Sequence, residues 1–230
     1  MPVSRYPLIL CTLSLSVLCV FLPSCKSGKT GGTDQGVIEY KLEVIENNNP
    51  IMSTDMLPGT MTTRFKDNNM SQELSAGMGM FSTSFISDFN HKTIAQTLSM
   101  LGKQYACKVD SSGLPELISK EPKLTFQFVE GSKIIAGYNC KKALVRPENG
   151  TAYEIYYTDE ISIENPNFYN AYAPVKGVLM DFQVTRYNIR MHLTASKVTS
   201  ESVSDELFTL NAQAKMVSID EMNSYFNGGN

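Results

Sequence analysis

Tryptophan is absent from this 230-residue chain, and histidine occurs only twice. The two histidines, His91 and His192, are far apart in sequence. Zinc hydrolysis wants clustered His or Cys ligands, and no such spacing occurs. No Gly-x-Ser-x-Gly elbow and no Gly-x-x-x-x-Gly-Lys phosphate loop appears. Gly77-Met78-Gly79 lacks the third glycine of a dinucleotide fingerprint. The carboxylates Asp159, Glu160 and Glu164 crowd together, but such clusters are mostly solvated edges rather than acid–base pairs. No basic excess exists either: 20 Lys and Arg face 23 Asp and Glu, net −3, which supplies no electrostatic footprint for nucleic acid. The expectation is a non-enzyme with no catalytic residue, no metal, no cofactor and no nucleic-acid partner.

Long apolar runs are also scarce. The longest, Leu8 to Leu22, covers about 15 residues, where a membrane-spanning helix needs about 20. Arg5 precedes it, so residues 1–24 read as an export signal. The run ends in Leu22-Pro23-Ser24-Cys25, which resembles a lipobox: an aliphatic residue three places ahead, a small residue next, then the thiol that takes lipid. Cleavage before Cys25 leaves 19 basic and 23 acidic residues, net −4. Residues 26–36, rich in Gly, Ser and Thr, have little to bury and read as a flexible tether. No aspartate follows Cys25 directly, and no acidic run follows it. The expected address is the outer membrane, facing the periplasm, with the membrane as a partner through lipid on Cys25.

Of five cysteines, two remain once the signal is removed and Cys25 is acylated. Cys107 and Cys140 form an even pair in an oxidising compartment. A structural disulfide and two buried free thiols both fit.

What is present is alternation. Ile38, Tyr40, Leu42 and Val44 face one way, and Glu39, Lys41 and Glu43 the other, the signature of a half-buried strand. Further strands read at 60–66, 70–80, 81–89, 93–100 and 103–109. A second series follows at 123–130, 133–136, 140–146, 151–158, 178–186 and 189–198, and a short strand at 207–210. Turn residues such as Asp67-Asn68-Asn69 and Asn149-Gly150 separate them. Helical candidates are few: residues 115–120, and a terminal helix at 219–226 opened by the capping box Ser218 to Glu221. Residues 37–226 thus read as one mainly β domain, with 227–230 fraying.

Methionine is plentiful between Met52 and Met80. Thioethers could select copper(I), but flexible Met more commonly makes an adaptable apolar lining. Met78, Met80, Phe85 and Phe89 are candidates to line a groove for acyl chains.

The stretch Gly137 to Ile161, GYNCKKALVRPENGTAYEIYYTDEI, resembles the signature region of envelope proteins related to the GLPGLI family. The matching positions are Gly137, Tyr138, Cys140, Lys142, Ala143, Tyr156, Tyr157, Thr158, Glu160 and Ile161. Downstream, Ala173 to Val184 occupies the place of the name-giving strand without spelling it, which points to a sister family. The resemblance implies a LolA/LppX-like half-barrel: a single antiparallel, strongly curved sheet around an apolar cavity capped by short helices. It carries over no catalytic residue. The expected function is a membrane-anchored module for a hydrophobic ligand, lipid or acylated protein. The alternative is a structural or protein-interaction lipoprotein using a sheet edge or the tyrosines at 153, 156, 157, 169 and 172.

Overall fold

The computed structural model describes Met1, residues 33–77 and residues 81–228. Cys25, Met78 and Met80 lie outside the described residues. Twelve strands form one open sheet in the order β12-β6-β5-β4-β3-β2-β1-β11-β10-β9-β8-β7. They are β1 (Gln35–Asn47), β2 (Thr60–Lys66), β3 (Asn69–Ala76), β4 (Phe81–Asp88), β5 (Thr93–Met100) and β6 (Lys103–Val109). Next come β7 (Leu124–Ile135), β8 (Tyr138–Pro147), β9 (Tyr153–Thr158), β10 (Val178–Arg186), β11 (Ile189–Thr199) and β12 (Lys215–Met216). Two helices, α1 (Leu114–Ser119) and α2 (Ile219–Asn227), complete the regular structure.

Two antiparallel meanders meet in the middle, where β1 pairs with β11 from Val37↔Thr199 to Asn47↔Ile189. Local turn chemistry sets much of the register. Asp67-Asn68, Leu101-Gly102, Ala136-Gly137 and Tyr187-Asn188 all have positive φ at both positions. Each closes a two-residue hairpin, a conformation whose twist matches the flanking strands. The exception to antiparallel pairing is β12, which lies parallel to β6 through Lys215↔Tyr105 and Met216↔Ala106.

One face of the sheet is covered. On β1, Ile38, Tyr40 and Leu42 are buried there while Glu39, Lys41 and Glu43 stay exposed. The loop after β9 supplies Tyr172 and Val175 to the main core. Helix α2 buries Met222 and Phe226 against Leu98 and Cys107, and α1 buries Leu114 with Ile94 and Tyr169. Each such apolar side chain contributes about 1.5–3 kcal/mol when removed from water.

Several boundaries differ from the sequence reading. The two strands expected at 123–130 and 133–136 are one, β7 (Leu124–Ile135), because an irregularity between Val129 and Ser132 absorbs Glu130-Gly131 without ending the pairing. Residues 205–208 make a turn of 3-10 helix in place of a strand, begun by Ser204 accepting from the Glu206 amide. Thr33 bridges Ile161, and the Thr33 carbonyl accepts from the Ser162 amide at 2.9 Å, so pairing to the domain is present ahead of residue 37. At the other end Gly228, with φ of 71°, caps α2 in the left-handed conformation that glycine adopts without strain.

Candidate functional site

A cavity of about 370 Å³ lies between the covered face of the sheet and the segments above it. Its floor comes from strands near the centre of the sheet: Tyr40 and Leu42 of β1, Met61 of β2, Met70 and Leu74 of β3, Phe182 of β10, and Met191 and Leu193 of β11. Met52, Leu57 and Phe226 enter from outside the sheet, as do Tyr169 and Tyr172. The space is partly open to solvent rather than sealed within the core.

A second cavity of about 500 Å³ adjoins it, lined by Ile94, Gln96, Cys107 and Val109 with residues of both helices. The two share Phe85, Glu121, Pro122, Tyr169, Thr185, Arg186 and Tyr187 as a common wall. That wall holds a partly sheltered ion pair, Arg186 Nη1 to Glu121 at 2.9 Å, with the Glu121 side chain 12% exposed. The guanidinium also lies over the Phe85 ring. Tyr187 stacks on Phe226 with ring centroids 4.1 Å apart, and its hydroxyl accepts from Gln96 Nε2 at 2.7 Å. Burial pushes the Tyr187 phenol up to about 12. These contacts offset the strain of a bulky residue held at φ of 52°.

Most polar groups on the covered face are paired. Tyr40 donates to the Leu179 carbonyl at 2.8 Å, and Tyr169 donates to Gln72 Oε1 at 3.0 Å. Thr83 donates to the Thr97 carbonyl at 2.8 Å. Thr63 is the exception: it is 2% exposed, and its Oγ1 has no hydrogen-bond partner among the described residues.

The residues singled out by sequence fall in different places. Phe85 lines both cavities. Phe89 lines neither: it lies just past the end of β4, packs edge-on against Phe168 at 5.5 Å, and carries Lys92 over its face. Met61 and Met70 are wall residues, and both stand at buried positions of their alternating strands.

Cys107 and Cys140 are free and buried in separate apolar clusters. They sit on β6 and β8, which are near opposite ends of the strand order. Of the two readings open for the pair, the structure has buried thiols and no disulfide. Burial raises both thiol pKa values, that of Cys140 to about 11.

The five tyrosines do not make one surface patch. Tyr169 and Tyr172 are buried, and the Tyr153 and Tyr172 hydroxyls meet at 2.8 Å. Tyr156 instead forms a cation–π contact with Lys133 on the opposite face, where Lys133 and His192 both reach Asp181, at 3.2 and 2.6 Å. His91 is an exposed turn residue bonded to Asp88 at 2.6 Å. Asp159 pairs with Lys141 at an exposed position. Among the described residues, no three His, Cys, Asp or Glu side chains converge as metal ligands would.

The cavity walls not singled out by sequence come from β10, β11, the 166–172 loop and the α1–β7 connection. They come from segments far apart in sequence, so only the fold brings them to one place.

No family model matches the chain, and no curated protein is similar to it. A solved structure described as "Structure of PNGF-II in P21 space group" is similar over 84% of this chain, with a TM-score of 0.52 and 12% identity. The chain spans 33% of that structure's length, and at this identity the likeness bears on the fold alone.

Proposed function

We propose that this chain is an envelope lipoprotein that holds a hydrophobic ligand, a lipid or the acyl group of an acylated protein. The sheet is wound as a half-barrel, and the ligand lies between its covered face and the segments above. The observation that supports this reading is the cavity of about 370 Å³ with its Met, Leu and Phe walls. That volume falls within the range of small-molecule sites, roughly 300–1,000 Å³, and apolar walls suit a non-directional, shape-tolerant ligand. The protein acts by binding rather than by catalysis. Lipid on Cys25 and the segment after it keep the domain at the outer membrane, facing the periplasm.

Native mass spectrometry of the purified chain, with solvent extraction of co-purifying material, tests the proposal. One lipid or acylated species per chain is the expected result. A protein that carries nothing and takes up no lipid from vesicles would refute it.

A second reading, a protein-interaction lipoprotein, draws on the edge strand β7. There Phe128 is 52% and Ile134 67% exposed, and an unpaired edge can accept a partner's strand. Crosslinking in cells should then trap one stoichiometric envelope protein through β7, and failure to trap any would count against it.

A further inference from the structure

The second cavity has a buried polar group in its wall that the protein satisfies only by half. Gln96 of β5 is 5% exposed. Its Nε2 donates to the Tyr187 hydroxyl at 2.7 Å and lies 3.4 Å from Thr83 Oγ1. Its Oε1 accepts from none of the described residues, and unlike Thr63 Oγ1 it is not sealed off from solvent. The carboxamide is thus held by its nitrogen, and its oxygen takes a donor from whatever fills the cavity it lines. A buried amide left without that donor is costly.

The charges around this cavity are spent on one another. Glu116 pairs with Lys120 at 2.8 Å and Glu121 with Arg186 at 2.9 Å. Asp220 is exposed in the first turn of α2, where a helix favours a carboxylate. An ionic group entering the cavity therefore finds no free counter-charge beside Gln96. Three more carboxamides, Asn188, Asn223 and Asn227, line the same space. Each carboxamide both donates and accepts, and the neutral group that answers both needs at every position is the hydroxyl.

We propose that the second cavity binds a neutral sugar ring, with one ring hydroxyl donating to Gln96 Oε1 and others meeting Asn188 and Asn223. The sugar is either a free saccharide or the head group of a glycolipid. In the second case the site extends the ligand-binding reading above: the chains lie in the first cavity, across the shared wall of Phe85, Tyr169 and Tyr187.

The test is a competition read by native mass spectrometry. The full chain is offered equal amounts, below micelle formation, of dodecyl glucoside and a dodecyl ether of methyl-capped tetraethylene glycol. The second has the same chain and a neutral head with acceptors alone. The glucoside complex should exceed the other by about fivefold, the worth of one neutral hydrogen bond. Gln96→Met, which removes the amide at similar length, should bring the ratio to about one while both still bind. Should that variant not fold, Asn223→Ala on the surface of α2 decides, and should lower the preference. Equal binding by the wild-type chain, or a preference that the folded variant leaves intact, overturns the sugar assignment alone. Methyl glucoside, which has no chain, separates the sources: a complex with it marks a free saccharide as ligand, and none marks the sugar as a lipid head group. Binding of methyl glucoside alone overturns the hydrophobic-ligand reading and keeps the sugar site, and failure to bind any of the three overturns both.

Discussion

Replacing Thr63 by valine should make the ligand-free protein more stable, the reverse of the usual outcome for a change at a buried position. The hydroxyl has no partner among the described residues, and the side chain is 2% exposed. An unsatisfied buried polar group costs about 1–3 kcal/mol. A methyl in its place adds apolar burial, worth somewhat less than a full methylene, about 0.8 kcal/mol. The expected gain is therefore about 1–4 kcal/mol. In a domain of this size each kcal/mol moves Tm by about 2–4 °C, so calorimetry of delipidated protein should show a rise of at least about 2 °C. Urea unfolding should show a higher midpoint with an unchanged slope, since the surface exposed on unfolding is the same. A delipidated Thr63→Val protein that melts at or below the wild-type temperature would refute the reasoning, since the hydroxyl must then have a partner within the protein.

Four further outcomes follow from the same geometry. Arg186→Leu removes the partner of Glu121 and should destabilise the protein by about 1–3 kcal/mol in urea unfolding; that is less than for a fully buried pair, because Arg186 is 32% exposed. Phe226→Ala deletes the ring stacked on Tyr187 and set edge-on to Phe81; it should cost about 3–5 kcal/mol and speed amide exchange throughout α2. Cys107 and Cys140 should resist maleimide in the folded protein and take one label each in urea, as read by mass. Burial pushes the Cys140 thiol up to about 11, above its ordinary value, so the folded state holds its proton more tightly. Its contribution to stability is therefore constant below about pH 9 and is lost as pH rises towards 11, which urea midpoints across that range would reveal.

Strand identity was largely legible because local rules and tertiary structure agree. The alternation of Ile38, Tyr40 and Leu42 against Glu39, Lys41 and Glu43 appears directly as buried and exposed faces. Ser218 caps α2 by accepting from the Glu221 amide at 3.0 Å, as the capping box indicates. Local rules failed where a distant partner decides. The two residues of β12 carry too little pattern to announce themselves, and they are placed by parallel pairing to β6. Leu207 to Leu210 reads as a short apolar strand but pairs with no strand among the described residues, and Ser204 starts a helical turn instead.

The site was legible only at its edges. Phe85 was accessible to sequence reasoning because an apolar alternating strand predicts an inward ring. Phe89, four residues later, lies beyond the end of β4 and turns to Phe168. The shared wall of Arg186, Glu121 and Tyr187 joins segments up to 66 residues apart, so no window of sequence contains it. The absence of a partner for Thr63 is likewise a property of its surroundings: the residue type is ordinary in a strand.

The most direct test of ligand binding in the cavity is photolabelling with a phosphatidylcholine that carries a diazirine in one acyl chain. After illumination and proteolysis, label should fall on peptides of β2, β3, β10 and β11, at wall residues such as Met61, Met70, Phe182 and Leu193. Excess unlabelled lipid should abolish it. Label confined to the exposed β7 edge around Phe128 and Ile134, or spread over the surface without competition, would contradict the account.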